Sequence, residues 1–190
     1  MYHKTNNSNQ YRDFVKGLSL FKDVKKIELD SIVSNIKLKK YMKGETFPLN
    51  IEKRSRLYII FMGQIKLIKI NERGEELILR IVNKGDTLSS MHFSSFFDVS
   101  FEFLEDTSLL YLSEDIVNKF IKENNSFAKN IISMLSENIQ SLMMNAEVWR
   151  LKNTKEKVGW FLNSININNF GKLSLSKSSI ASYLGMTPES

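Results

Sequence analysis

The feature that most limits what this chain can fold into is a row of apolar residues: Ala128, Ile132, Leu135, Ile139, Leu142, Ala146 and Trp149. The gaps alternate four and three without a break, the spacing that keeps one edge of an α-helix apolar over about three heptads. An edge of that kind usually buries itself against a second copy of the same helix, so the spacing predicts a long dimerisation helix. The competing reading is an ordinary helix buried within one domain. Phe127, Ile131 and Met134 form a second row on another side, which predicts packing against the rest of the chain.

Upstream of this helix the pattern changes twice. From 11 to 36 the apolar residues fall at helical spacings in two groups, Phe14, Val15, Leu18 and Phe21, then Ile27, Leu29, Ile32, Val33 and Ile36, which predicts two short helices. Between 37 and 112 the chain reads as β-structure, notably at 57–61, 64–70, 77–82, 99–104 and 108–112. Gly63, Gly74 and Gly85 stand 11 residues apart, with Gly44 upstream, each in a turn-like setting. Strands that fold back at such intervals predict an antiparallel barrel, sandwich or jelly roll. Ser113, followed by Glu114 and Asp115, is the expected start of the next helix, because a hydroxyl can cap it and two acids suit its positive end.

At 190 residues there is length for one or two domains with a real core. Lys and Arg number 27 against 21 Asp and Glu, and the net charge of +6 permits a polyanionic partner. The surplus is concentrated near the C-terminus, where Arg150, Lys152, Lys155, Lys157, Lys172 and Lys177 face only Glu156 and Glu189. That asymmetry predicts a basic C-terminal module. No cysteine is present, which excludes disulfides, thiolate nucleophiles, Cys-held iron–sulfur clusters and Cys-type zinc sites. The longest stretch without a charge, 158–171, holds four Asn and is too short to cross a bilayer. Residues 1–10 are polar and read as a flexible tail, and the chain is expected to be cytoplasmic and to have no membrane partner.

Catalysis has little to work with. The histidines are His3 and His92, neither with a second His or a carboxylate at ligand spacing, so a cupin-type metalloenzyme is not expected. No Ser stands in a nucleophile-elbow context, and the chain is read as a non-enzyme.

The most specific local pattern lies at 175–190. Ser176 can cap a helix whose inner face is Ile180, Ala181 and Leu184. Gly185 then permits a left-handed turn, and Thr187, Pro188 and Glu189 start a second helix with a cap, a first-turn proline and an acid that suits the dipole. This is the pattern of a helix-turn-helix, although any pair of packed helices can share a Gly turn.

In their order these parts resemble the Crp/Fnr family of bacterial transcription regulators over nearly the whole chain. The stretches that carry the resemblance are Leu20-Phe21, Lys43-Gly44-Glu45, the strand-Gly-strand segment at 58–67, Gly74-Glu75-Glu76-Leu77, Gly85-Asp86, Leu104-Glu105-Asp106-Thr107 and the helix-turn-helix. The resemblance implies an α+β chain with four parts. These are a flexible tail at 1–10, a sensor at 11–112, connecting and dimerisation helices at 113–151, and a truncated winged helix-turn-helix at 152–190. The sensor would be an antiparallel β-roll of the jelly-roll, cyclic-nucleotide-binding type with N-terminal helices. It also implies a homodimer that binds an inverted-repeat operator and alters contact with RNA polymerase when a small effector binds.

Two departures from the family pattern shape the expectation. Ser89 and Ser90 stand where a ribose-holding Gly-Glu pair is expected, and Phe97 where an Arg would pair with a cyclic phosphate. A buried phosphate without a cation costs several kcal/mol, so cyclic AMP is rejected as effector. The effector pocket is instead assigned to Ser89, Ser90, Met91, His92, Phe93, Phe96 and Phe97. Its sharpest version holds haem with His92 as axial ligand, against a plainer one in which the rings fill the vacated space. The cofactor is otherwise unknown. The second departure is the end at Ser190, about one turn into the helix that would enter the major groove. The residues assigned to DNA are Lys155, Lys157, Lys172, Lys177, Ser178, Thr187, Glu189 and Ser190, with Glu189 suited to a cytosine amine. The alternative is a sensor or interaction protein that keeps the roll and the dimer helix but no longer reads DNA.

Overall fold

The structure is a computed structural model that describes residues 8–49, 56–72, 74, 76–89, 99–151, 153–164, 175–187 and 189. Two helices, α1 (Ser8–Lys16) and α2 (Lys26–Asn35), flank a single 3₁₀ turn (Ser19–Phe21). Eight strands follow: β1 (Lys37–Tyr41), β2 (Thr46–Pro48), β3 (Arg56–Met62), β4 (Ile65–Ile70), β5 (Glu76–Val82), β6 (Thr87–Ser89), β7 (Val99–Phe103) and β8 (Thr107–Ser113). The chain ends in α3 (Glu114–Glu123), α4 (Asn125–Leu151), α5 (Thr154–Ser164) and α6 (Lys177–Tyr183). Helix α1 begins at Ser8, so the last three residues of the expected tail are helical.

The strands form two four-stranded antiparallel sheets, in the orders β1-β8-β3-β6 and β2-β7-β4-β5. The reason is legible in β3 and β8, which carry consecutive apolar residues, at 57–62 and 109–112, rather than alternate ones. A strand of that kind must be covered on both faces. Leu57 and Ile59 of β3 and Leu110 and Leu112 of β8 face outward onto Val15, Phe21, Ile32, Val117 and Phe127 of the helical layer. Tyr58, Ile60, Leu109 and Tyr111 face inward onto Ile65, Val82, Phe101 and Phe103 of the second sheet. Phe61 continues the outward row and meets Tyr11 and Phe14 edge-on, with ring centroids 5.1 and 5.0 Å away.

Strands β1 and β6 escape a pattern search because they carry little apolar alternation. β1 is an edge strand with Lys37, Lys39 and Lys40, and charge on an edge discourages pairing with another chain. In the helical layer Ile27, one of the apolar residues at helical spacing in α2, is exposed. Ser113 does hold the cap position of α3, but its hydroxyl makes no capping hydrogen bond, and Glu114 and Asp115 supply the dipole-matched charge.

Helix α4 is anchored at its start by Asn124, whose Oδ1 accepts the Phe127 amide at 2.8 Å while its Nδ2 donates to Glu28 at 2.5 Å. One turn on, Asn130 Nδ2 donates to the carbonyls of Leu20 (3.0 Å) and Lys22 (2.7 Å), and the rings of Phe127 and Phe21 stack. Phe127, Ile131 and Met134 pack into the helical-layer core, as the second apolar row predicts.

Gly63 makes the sharpest demand on sequence. It has φ +97°, and a methyl group there would overlap Thr107 Oγ1 and lie 2.8 Å from Thr107 Cα. Gly63→Ala is expected to cost about 2–4 kcal/mol by urea denaturation followed by circular dichroism, from backbone strain plus steric overlap. Gly44→Ala, at φ +83° in open space, is expected to cost about 1 kcal/mol, from strain alone.

Candidate sensor pocket and nucleic-acid interface

In this fold an effector would sit between the two sheets, and the described part of that interior is filled with rings. Tyr41 stacks on Phe103 with centroids 4.0 Å apart, Tyr58 meets Phe101 edge-on at 5.4 Å, and Phe47 and Tyr111 complete the set at 6.3 and 6.4 Å from Phe101 and Tyr58. Such a lining suits apolar or aromatic matter, and the Lys39 ammonium lies over the Tyr41 and Phe47 rings at 4.8 and 4.6 Å. Of the expected pocket residues, Ser89 is half-buried at the end of the edge strand β6. Ser90, Met91, His92, Phe93, Phe96 and Phe97 lie outside the described residues, and so does the haem ligand assigned to His92. Among the described residues no group of three or more His, Cys, Asp or Glu could hold a metal ion.

Helix α4 presents the seam. Ile132, Ile139 and Leu142 are 63%, 59% and 57% exposed, and Met143 and Met144 beside them are exposed as well. Ala128 and Leu135 are half-buried and Ala146 is open. Trp149 behaves differently. Its indole Nε1 donates to the Tyr183 carbonyl at 2.8 Å, and its ring packs beside Gly185. The last residue of the heptad row is thus engaged within its own chain.

Helices α5 and α6 of the C-terminal unit form where the sequence predicts them, whereas the described Thr187 and Glu189 are not helical. Asn153 and Glu156 cap α5 reciprocally, Asn153 Oδ1 accepting the Glu156 amide and Glu156 Oε2 accepting the Asn153 amide. Ser176 Oγ accepts the Ser179 amide at 3.0 Å and caps α6. Ala181 and Leu184 are buried, Ile180 packs beside them, and Gly185 takes φ +61°. This unit rests on the second sheet, where Leu184, Phe161 and Leu175 form a small core with Leu104 and Ile81 of the roll.

The residues assigned to DNA divide. Lys155, Lys177, Ser178, Thr187 and Glu189 are exposed, while Lys172 and Ser190 lie outside the described residues. Lys157 differs from these, being only 9% exposed as a residue. Sequence reasoning missed Lys66, which stands at a position where a strand lysine would usually face water. Its side chain is only 6% exposed and pairs with Glu76 (2.7 Å) and Glu102 (3.0 Å). Burial pulls its pKa down, and the two carboxylates more than reverse this, leaving it above the ordinary lysine value. An open cleft of about 700 Å³ beside α1 and α2 is lined by Arg12, Lys16, Lys22 and Lys26 together with Asp13 and Asp23, a mixed solvated groove.

Residues 38–124 match the cyclic nucleotide-binding domain family. The described residues share the fold of solved Crp/Fnr regulators, a β-roll followed by a long helix. The chain is similar to a Crp/Fnr-family transcriptional regulator from Eubacterium rectale, at 20% identity over 90% of this chain and 81% of that one, with a TM-score of 0.69. FixK2 from Bradyrhizobium japonicum is 19% identical over 81% and 79% of the two chains, with a TM-score of 0.68. The c-di-GMP-responsive global regulator CLP of Xanthomonas campestris is 14% identical over 87% of each chain, with a TM-score of 0.66. No curated protein sequence matches the chain.

Ser176→Ala is expected to remove about 1 kcal/mol from the stability of α6, the usual worth of an N-cap hydroxyl. Amide exchange should then speed up several-fold in α6, with β8 unchanged as the internal control.

Proposed function

We propose that this protein is a homodimeric, DNA-binding transcription regulator of Crp/Fnr type that works in the cytoplasm and responds to a small effector other than cyclic AMP. The observation that carries the reading is the exposed apolar set Ile132, Ile139 and Leu142 on a 27-residue helix that packs into the helical-layer core through Phe127, Ile131 and Met134. Fully covering a side chain of this size contributes about 1.5–3 kcal/mol, so a stripe of this length is worth covering with a second copy of itself. A parallel pair of α4 helices gives two-fold symmetry and so two copies of the C-terminal unit for two half-sites.

The basic C-terminal module supports the nucleic-acid partner, with Lys155 and Lys177 on its surface and Ser178, Thr187 and Glu189 on or beside the helix-turn-helix. The ring-filled roll and Phe97 in place of a cation argue against a cyclic phosphate. The same fold serves a regulator named for its response to c-di-GMP, so the fold does not itself impose cyclic AMP. An enzyme is not expected of a chain that has no cysteine and whose histidines are His3 and His92. Haem at His92 remains the specific cofactor candidate, with partners proposed as the operator and, through the family resemblance, RNA polymerase. Among the described residues no helix is long and apolar enough to cross a membrane.

Sedimentation equilibrium is expected to give a dimer at micromolar concentration and a folded monomer for Ile139→Glu/Leu142→Glu; a monomeric wild type would sink the reading. In a salt series on duplex DNA, Lys155→Ala or Lys177→Ala should each reduce the logarithmic salt slope by about one unit if it neutralises a phosphate.

A further inference from the structure

We infer that Lys39 is the anion-holding cation of a binding site for an aromatic carboxylate, built where the edges of the two sheets meet. The inference deepens the proposed response to a small effector and rests on that reading for its regulatory meaning alone.

The register turns Lys39 inward. It stands opposite Leu109 on β8, as Lys37 stands opposite Tyr111 and Tyr41 opposite Thr107, and residues directly opposite in an antiparallel pair share one face. Leu109 and Tyr111 belong to the core between the sheets, so Lys39 and Tyr41 point into the roll, whereas Leu38 between them packs on the helical layer. β1 and β2 are edge strands of the first and second sheet, and the rings of Tyr41 and Phe47 meet across them with centroids 5.7 Å apart. The half-buried Lys39 lies over both rings, its Nζ 4.8 and 4.6 Å from their centroids.

The surroundings of Lys39 differ from those of the other covered strand lysine. Lys66 holds two carboxylates, Glu76 and Glu102. Among the described residues no ion pair includes Lys39, and its contacts are ring faces. Ring quadrupoles attract an ammonium but leave its charge uncompensated, and a charge drawn out of water is stabilised by an anion beside it. The ammonium sits on a flexible four-carbon stem, so it can swing off the rings towards an incoming carboxylate. A flat apolar body can then take its place over Tyr41 and Phe47 and extend the stack that Tyr41 makes with Phe103 at 4.0 Å. One ammonium in an apolar lining balances one negative charge, which selects a monocarboxylate over a doubly charged phosphate. A charge on an edge strand also discourages pairing with another chain, but Lys37 and Lys40, exposed on the same strand, already serve that end. Occupation would reach the long helix through β8, which pairs with β1 along its length and runs into α3 and α4.

The test is calorimetric titration of the whole protein with 2-naphthoate, with neutral 2-naphthamide and with octanoate. The wild type is expected to bind naphthoate saturably and more tightly than either comparison compound. Lys39→Met should weaken naphthoate about tenfold or more, the usual worth of a charged hydrogen bond, and leave naphthamide unchanged. Lys39→Arg should retain most of the affinity and Lys37→Met nearly all of it, with circular dichroism confirming each fold. A second measurement needs no variant: naphthoate should slow acetylation of Lys39 by an N-hydroxysuccinimide ester severalfold and leave exposed Lys43 unaffected. No saturable binding of naphthoate, equal affinity in a folded Lys39→Met, unslowed acetylation of Lys39 in the saturated wild type, or tighter binding of octanoate would each overturn the proposal. Naphthoate held through Lys39 with no change in affinity for duplex DNA would remove the effector reading and leave the binding site standing.

Discussion

The rest of the molecule depends on one constraint: β3 and β8 are apolar on both faces and neither face can be left to water. Leu57, Ile59, Leu110 and Leu112 require the helical layer; Tyr58, Ile60, Leu109 and Tyr111 require the second sheet. One pair of central strands therefore holds two cores together, and everything that positions a functional group is attached to one of them. α4 starts from the helical layer, locked by Asn124 and Asn130, while the C-terminal unit rests on the outside of the second sheet. A change in the spacing of the two sheets would reach both attachments at once.

The long helix reconciles two tasks through its two faces. Phe127, Ile131 and Met134 fix it to the roll, and the seam from Ile132 to Leu142 remains free for a partner of matching pattern. Further along, Asn145 and Val148 are buried and Trp149 turns to Tyr183, so the same helix also holds the C-terminal unit. A single rigid rod thus touches sensor, proposed partner and proposed reader.

Much of this was legible in the sequence, for reasons that can be stated residue by residue. The heptad gaps, the positive-φ glycines at Gly44, Gly63, Gly74 and Gly85, and the Ser176 cap with its Gly185 stop are local signals, and the structure places them as expected. β1 was hidden because an edge strand rich in lysine has little alternation to detect, and spacing alone does not say that Ile27 faces water. Trp149 fits the heptad yet is claimed by Tyr183, a competition that only a three-dimensional neighbour can create. For the pocket, Ser89 is placed on β6, whereas the segment with His92 and Phe97 lies outside the described residues.

The sequence by itself determined which stretches become helix or strand and where the turns fall, because periodicity, caps and glycine act over a few residues. It also determined the chemistry on offer, with no cysteine, scarce histidine and a basic C-terminal end. Only the tertiary structure decided the fate of the charges. Lys66 and Lys157 are buried, whereas Lys155 and Lys177 are exposed. Nothing local distinguishes the four. Burial of a long charged side chain depends on which distant surface settles over it and whether carboxylates such as Glu76 and Glu102 wait there to receive it.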